Sequence, residues 1–315
     1  GAIRGRDAIY VWTDTALFTQ RFVGSPFTFA FSQVGTNCGL AGQNACVEVD
    51  GAAYWMSENG FFRYAGRLES LSCLVEDHVY DDINIESGNQ MISAGLNNLF
   101  GEVIWFYPSS TSSVVNKMVS YNYFDSSPQR PVWTVGTLAR TMWQDSAVFS
   151  LPHALEYDAS TDTSFDVVGN TEGRTAYYEH ETGTDQNKNG TITAITANIS
   201  SGDFDITQAR AQGTGQVTGV ATFKGDGEFL MKIRRFIPDF ISQTGNTQVT
   251  LELRNFPNDS QTSSALGPFT ISSSTQKVDT RARARAIALK IANTGASQSW
   301  KLGTFRLDTQ PDGRR

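Results

Sequence analysis

The feature that most constrains the fold of this chain is an alternation of apolar and polar side chains, broken by polar turns roughly every 8 to 15 residues. The clearest example is ACVEVDGAAYWMSENGFFRYAG (45–66), where Asp50-Gly51 and Asn59-Gly60 separate three apolar runs. Both central residues of a type I′ turn need positive φ, so Asp-Gly and Asn-Gly are strong hairpin signals. The segment therefore predicts a three-stranded antiparallel meander.

Three further segments repeat this aromatic-rich pattern, at 8–22, 101–136 and 141–158. Four such units, about 40 residues apart, are typical of a β-propeller, in which each blade buries both faces against its neighbours. A β-sandwich is the alternative for this part of the chain. Helix signals are few, and the strongest candidate is 88–101, with 69–84 as the second.

The sequence becomes polar from about 160 to 190, and strand alternation then resumes up to the C-terminus. Short strands separated by polar turns suit a β-sandwich. We therefore expect an all-β protein with propeller blades over 1–185 and a C-terminal antiparallel β-sandwich-like domain over 186–315. The chain begins without methionine and runs at once into strand-like sequence, so we expect a processed chain or the later part of a longer polypeptide.

Charge is distributed unevenly along the chain. The formal net charge is −7, which does not suit a protein that binds duplex DNA over its whole surface. Residues 277–315 nevertheless contain nine basic and three acidic residues. This asymmetry indicates either an electrostatic contact surface or a solvated edge strand.

Within this basic region, VDTRARARAIALKIA (278–292) reads as one long strand. Residues two apart share a face of a strand. One face is then charged first and aliphatic afterwards: Lys277, Asp279, Arg281, Arg283, Arg285, Ile287, Leu289 and Ile291. The opposite face is mostly alanine, which predicts close packing on that side. Neighbouring guanidinium groups repel one another, so Arg281, Arg283 and Arg285 are expected to meet water, carboxylates of an adjacent strand or subunit, or phosphate.

A calcium site is a weak candidate in DQNKNG. Asp185, Asn187 and Asn189 stand at alternate positions ahead of Gly190, as in the first half of a calcium loop. The twelfth position is Thr196, so the usual bidentate carboxylate is missing. A hairpin turn is the favoured interpretation. The spacing of the three cysteines suits neither a zinc site nor a disulfide framework, so we predict free thiols. We expect no other metal and no cofactor.

The sequence also contains no strong catalytic motif. No GxSxG nucleophile context is present, and the three histidines are isolated in sequence: His78, His153 and His180. A propeller could carry glycosidase chemistry on paired carboxylates, and the candidate pairs are Asp81 with Asp82 and Glu179 with Glu181. Adjacent carboxylates in polar loops are usually solvated, so we expect no enzyme. No apolar run approaches the roughly 20 residues of a membrane span.

Two stretches carry a family resemblance: YWMSENGFFRYAG (54–66) and RARARAIALKIANTG to the C-terminus (281–315). Together they resemble the tail nozzle, or packaged-DNA stabilisation, proteins of short-tailed bacteriophages (tail tubular protein B-like). The resemblance implies a β-propeller with additional β-domains, assembled as a ring of about six copies below the portal and adaptor. It also implies that the ring lumen closes the DNA channel until infection, and that no reaction is catalysed.

The expectation is thus a structural virion protein, made in the bacterial cytoplasm and located in the phage tail. Its partners would be other copies of the chain, the adaptor, the portal and other tail proteins, with transient contact to packaged DNA. Arg281, Arg283 and Arg285 would face the channel or pair with acidic groups of another strand or subunit, and the latter is favoured. The alternative function is a glycan-binding or glycan-cleaving propeller in a receptor-binding tail component.

Overall fold

The structure is a computed structural model that describes residues 1–84, 90–146, 149–158, 174–188, 190–205, 229–256, 259, 265–293 and 295–313. The described chain consists of antiparallel strands and turns with one helix, α1 (Glu76–Tyr80), which confirms the prediction of an all-β protein. It divides into two compact units, Gly1–Thr182 and Gly183–Arg315. The sequence predicts this boundary between 185 and 186.

The first unit contains four antiparallel sheets, and in each the strands are hydrogen-bonded in chain order. The first sheet contains β1 (Ala2–Arg4), β2 (Ile9–Trp12), β3 (Ala16–Phe22) and β4 (Phe29–Thr36). The second contains β5 (Cys46–Val49), β6 (Ala52–Ser57), β7 (Gly60–Tyr64) and β8 (Leu68–Leu71). The third contains β9 (Ser93–Asn97), β10 (Glu102–Tyr107), β11 (Lys117–Asn122) and β12 (Trp133–Gly136). The fourth contains β13 (Met142–Gln144), β14 (His153–Asp158) and β15 (Arg174–Glu179).

Successive sheets of the first unit pack face to face through shared core clusters. Strand β6 is buried along its whole length, with Ala53 and Trp55 in a cluster with the first sheet and Tyr54 and Met56 in a cluster with the third. Because alternate side chains of a strand point to opposite faces, β6 must be apolar on both sides. The same holds for β10, whose Trp105 faces the second sheet while its alternate residues pack with residues of the fourth.

Tryptophan side chains join each sheet to the one before it. Indole N–H groups donate to backbone carbonyls across the sheet boundaries: Trp55 to Cys38 at 2.9 Å, Trp105 to Ala45 at 3.0 Å, Trp133 to Ser72 at 2.8 Å and Trp143 to Leu96 at 2.8 Å. An indole N–H taken out of water generally finds an acceptor, and each of these bonds holds its ring against the preceding sheet. The first strands of successive sheets also lie side by side, β1 with β5, β5 with β9, and β9 with β13.

The turns of the second sheet follow the sequence prediction only in part. Asp50 and Gly51 both have positive φ, 50° and 89°, as the predicted type I′ hairpin requires. The next turn was predicted one residue too late, because Ser57 pairs with Gly60 and the central residues are therefore Glu58 and Asn59. The predicted helix over 88–101 is wrong for its described part, which contains β9, whereas α1 falls within the second helical candidate, 69–84.

The second unit contains a four-stranded sheet, a three-stranded sheet and two two-stranded sheets. The four-stranded sheet has the order β18 (Ala197–Ser200), β24 (Ala286–Asn293), β21 (Thr247–Arg254) and β22 (Ala265–Ile271). The three-stranded sheet has the order β23 (Val278–Ala284), β19 (Met231–Ile237) and β26 (Arg306–Pro311). The two-stranded sheets pair β16 (Asp185–Lys188) with β17 (Thr191–Ala194), and β20 (Phe240–Thr244) with β25 (Ser299–Leu302).

One hydrophobic cluster joins the two larger sheets of the second unit. It contains Ile233 and Phe236 from the three-stranded sheet and Val249, Leu251 and Ile291 from the four-stranded sheet, all nearly inaccessible to solvent. The inner faces of the two sheets therefore bury one another, which leaves their outer faces available to carry polar residues.

Candidate functional site

The arginine strand β23 has one buried and one exposed face. Thr280, Ala282 and Ala284 are buried, whereas Arg281 and Arg283 are exposed. The small alanine side chains let β23 pack closely on the core, and Thr280 Oγ1 donates a hydrogen bond to the carbonyl of Ile233 at 2.8 Å. Arg281 and Arg283 share the outer face at a spacing of roughly 6.5 to 7 Å.

The outer face does not continue past Arg283 as predicted. Strand β23 ends at Ala284, and the chain turns at Arg285 into β24, which belongs to the other sheet. The backbone N–H of Arg285 already donates to the carbonyl of Arg254 in that sheet, at 3.0 Å. Beyond this corner Ile287 and Ile291 point into the same core as Ala282. The prediction that Ile287, Leu289 and Ile291 share a face with the arginines of one straight strand is therefore wrong.

The two neighbouring strands add further basic residues to the same outer face. Lys232 of β19 pairs directly with Arg283, and paired residues of an antiparallel ladder project to one side. A bulge in β19 leaves Arg234 and Arg235 both exposed. Arg306 of β26 pairs with Ile237 and is exposed. We call this surface the basic face: Lys232, Arg234, Arg235, Arg281, Arg283 and Arg306.

Three aspartates lie among these cations. Arg235 Nε is 3.3 Å from Asp308, Arg283 Nε is 2.5 Å from Asp312, and Asp279 binds Lys277 at 3.0 Å. These side chains are about half exposed, and exposed pairs of this kind contribute roughly 0 to 1 kcal/mol each. Arg281 makes no ion pair or hydrogen bond with any described residue. Basic groups outnumber acidic ones here, so the face retains a positive potential in an acidic chain.

Sequence reasoning identified the arginines of β23 but missed Lys232, Arg234 and Arg235. The available signal was the segment KIRRF (232–236), a basic cluster inside a strand. The sequence does not reveal that β19 pairs with β23, because more than 40 residues and three strands separate them.

A second unusual surface is the tip of the β3–β4 hairpin, residues 20–33, which we call the phenylalanine hairpin. Phe22 pairs directly with Phe29, with ring centroids 5.9 Å apart, and Phe31 pairs with Gln20 on the same face. These rings are 72, 52 and 61% exposed, and Phe27 at the tip is 75% exposed. Four aromatic rings in these positions expose roughly 500 Å² of mostly apolar surface. This is the size of the largest apolar patch on a typical monomeric protein, and such patches are often functional.

The opposite side of the phenylalanine hairpin carries two exposed polar residues, Arg21, which pairs with Ala30, and Ser32. Thr19, which pairs with Ser32, is buried at the base of the hairpin. The hairpin is thus amphipathic across its thickness, which suits a ribbon that lays one face on an apolar partner surface.

The first unit buries one arginine with several partners. Arg140 is 4% exposed, and its guanidinium bonds to Glu156 at 2.8 Å, to the Ala139 carbonyl at 2.7 Å and to His180 Nε2 at 2.9 Å. Its charge also lies 4.0 Å from the centroid of the Tyr178 ring. Since Nε2 of His180 accepts this hydrogen bond, the imidazole is neutral. Burial first, and the charge of Arg140 second, lower the pKa of His180 to about 4.

The calcium candidate forms a hairpin in which its oxygens bond to backbone N–H groups. Lys188 pairs with Thr191, Asn187 Oδ1 accepts the Gly190 N–H at 2.9 Å, and Asp185 accepts the Ser297 N–H at 2.8 Å. Asn189 lies outside the described residues. Among the described residues, no group of three or more His, Cys, Asp or Glu side chains could hold a metal ion.

The remaining sequence candidates have separate surroundings. Asp82 lies 3.7 Å from Lys117 and accepts a hydrogen bond from Ser110 Oγ. Glu181 accepts a hydrogen bond from Asn97 Nδ2 at 3.0 Å, whereas Glu179 is exposed on β15. His78 lies in α1, and His153 stacks on Tyr177.

The three cysteines are free thiols, as predicted, and burial raises the pKa of Cys46 and of Cys73 to about 11. No helix in the described part of the chain is long and apolar enough to cross a membrane.

Comparison with known proteins adds no assignment. No protein-family model matches this sequence, and no curated protein is significantly similar to it.

Proposed function

We propose that this chain is a structural virion protein of a short-tailed bacteriophage, and that about six copies form a ring that extends and closes the DNA channel below the portal and adaptor. The observation that carries the proposal is the basic face: six cations on three paired strands of a chain whose net charge is −7. Repeated around a ring, this face would form a positive girdle. The sequence resemblance of 54–66 and 281–315 to tail nozzle proteins supports the same conclusion.

For the architecture, we propose β-propeller blades in the first unit and a β-sandwich in the second. Four consecutive meander sheets, adjacent first strands and a core cluster at each sheet boundary favour blades arranged around an axis. Two sheets that share one core favour a sandwich. Neither part carries a cofactor in this proposal, and the protein acts without catalysis in the virion.

The phenylalanine hairpin is proposed as the contact with a neighbouring copy. Its apolar face is as large as the largest patches on monomeric proteins, which are often functional, and a head-to-tail ring needs a patch on each subunit that its neighbour covers. Burial of this face would supply hydrophobic association energy that salt does not screen.

The basic face would act on DNA through charge alone. Guanidinium groups attract phosphates without reading sequence, and the attraction falls as salt rises because counterions compete. Ion pairs with Asp308 and Asp312 limit the number of available cations per subunit. Weak contacts of this kind would centre the duplex in the channel and still allow it to slide during ejection.

Assembly tests the structural half of the proposal. Mass photometry and negative-stain imaging of the purified chain should show closed rings with a central hole. Replacing Phe22, Phe29 and Phe31 by serine should give monomers with unchanged circular dichroism. The matched control replaces exposed apolar residues elsewhere, Leu74 and Ile241, and should leave rings intact. A wild-type monomer at micromolar concentration would refute the ring.

DNA contact tests the electrostatic half. The variant Arg281→Ala/Arg283→Ala/Arg306→Ala removes three cations of the basic face and should form rings that bind duplex DNA more weakly and with a shallower salt dependence. The control Arg4→Ala/Arg6→Ala/Arg67→Ala removes the same charge from exposed positions of the first unit and should bind like the wild type. Failure of this triple variant to assemble would instead assign these arginines to pairing between subunits. Saturable hydrolysis of a host-surface glycan would favour the glycan-cleaving alternative and contradict the proposal.

A further inference from the structure

Three side chains at the edge of the third sheet form an oxygen-rich cluster separate from the basic face. Asn97 of β9 and Glu102 of β10 are direct cross-strand partners, so their side chains project to the same side. Glu181, just beyond β15, reaches this position and accepts a hydrogen bond from Asn97 Nδ2 at 3.0 Å. Two carboxylates and one amide therefore lie on the same side of the third sheet.

The amide of Asn97 is only half satisfied. Asn97 is 2% exposed, and its Oδ1 has no hydrogen-bond donor among the described residues. An orphaned buried oxygen costs about 1 to 3 kcal/mol, so such atoms need an explanation. Exchanging the amide oxygen and nitrogen does not help, because the oxygen would then face the Glu181 carboxylate. Oδ1 belongs to the same planar group as Nδ2, and the unpaired oxygen consequently lies beside Glu181.

Glu102 is half-buried opposite Asn97, and Glu181 is bonded to the same amide. A cation bound here would neutralise both carboxylates and would give Asn97 Oδ1 a partner.

We propose that Asn97, Glu102 and Glu181 form a divalent-cation site that binds Ca²⁺. Carboxylate and amide oxygens are the ligands that Ca²⁺ prefers, and it accepts irregular geometry with water completing six to eight ligands. Mg²⁺ requires a near-ideal octahedron, so it should bind more weakly. The bound ion would tie the end of the fourth sheet to β9 and β10 of the third. The site does not depend on the proposed tail function.

Terbium luminescence provides a direct test on the full-length chain. Tb³⁺ has the same oxygen preference as Ca²⁺ and is excited by nearby aromatic rings. Trp143 Nε1 donates to the carbonyl of Leu96, and the Tyr123 hydroxyl donates to Asn98, so both donors flank Asn97. After treatment with chelator, added Tb³⁺ should give sensitised emission that Ca²⁺ displaces. Ca²⁺ at about 10 mM, above the range of weak extracellular sites, should raise the Tm.

Matched variants assign the signal to this cluster. Glu181→Gln and Glu102→Gln should each weaken Tb³⁺ binding at least tenfold and abolish the Tm shift. Glu179→Gln removes an exposed carboxylate two residues away and should change neither measurement. Asp185→Asn tests the hairpin of the second unit in the same way and should also have no effect. Absence of Tb³⁺ emission in the wild type, or emission unchanged in Glu181→Gln, would overturn the proposal.

Discussion

Arg140 in the first unit and Arg281 in the second carry the same guanidinium group in opposite environments. Arg140 is 4% exposed and bonds to a carboxylate, a carbonyl and an imidazole, while Arg281 is exposed and has no ion-pair partner in the described chain. A buried charge must find all its partners within the fold. An exposed charge has water, and it remains available for a phosphate or a neighbouring subunit. Arg140 should therefore determine stability, and Arg281 should determine binding.

The largest expected effect is the loss of the buried arginine. Arg140→Leu removes the ion pair with Glu156 and the hydrogen bond to His180 from a buried position, and should lower the free energy of unfolding by about 3 to 5 kcal/mol. Five of the six tryptophans lie in the first unit, so tryptophan fluorescence during urea unfolding reports on this unit. Arg281→Leu is the control, with an expected change within about 0.5 kcal/mol. Equal destabilisation by both substitutions would contradict the expectation that only the buried arginine stabilises the fold.

An intermediate effect is expected from pH acting on His180. The folded chain holds the pKa of His180 at about 4, below its ordinary value near 6.5, so the unfolded chain binds the proton first. Stability should fall as pH drops from 6.5 to 4, by at most about 3 kcal/mol, and this contribution should be constant above pH 7. His180→Gln can accept the Arg140 bond without titrating and should flatten this part of the profile. An unchanged slope in that variant would show that other groups cause it.

The smallest effect is expected at the exposed ion pair. Arg283→Ala removes the contact with Asp312, which is about half exposed, and should cost less than about 1 kcal/mol. Salt screens such pairs, so the difference from the wild type should shrink further in 1 M NaCl. Urea denaturation of the variant and the wild type at low and high salt measures this difference in stability. A cost above 2 kcal/mol would mean that the basic face also supports the fold.

Sequence patterns predicted the parts of this fold that depend on neighbours along the chain. The turn at Asp50-Gly51 formed as expected, because its residues alone favour positive φ. The inner and outer faces of β23 followed from alternation. The helix predicted near Met91 did not form, because residues 93–97 pair with β10 and contact the next sheet. Tertiary contacts overrode the local spacing there.

The parts that the sequence did not reveal depend on distant partners. Arg140 meets Glu156 and His180 only after three strands have paired, and nothing near Arg140 in the sequence indicates burial. Likewise, Lys232 joins the basic face only through its pairing with Arg283. Glu181 is close to Glu179 in sequence, yet it interacts with Asn97 and Glu102 in the folded chain.

Because of the corner at Arg285, an odd spacing along the chain separates two residues that face the same core. Ala284 and Ile287 both point into the core although they are three positions apart, an odd spacing that a straight strand would not allow. Insertions between them should therefore be tolerated in steps of two. A single inserted residue would either remove the corner or exchange a buried aliphatic side chain with a charged one, whereas an inserted pair would leave the core and the arginines on their present sides.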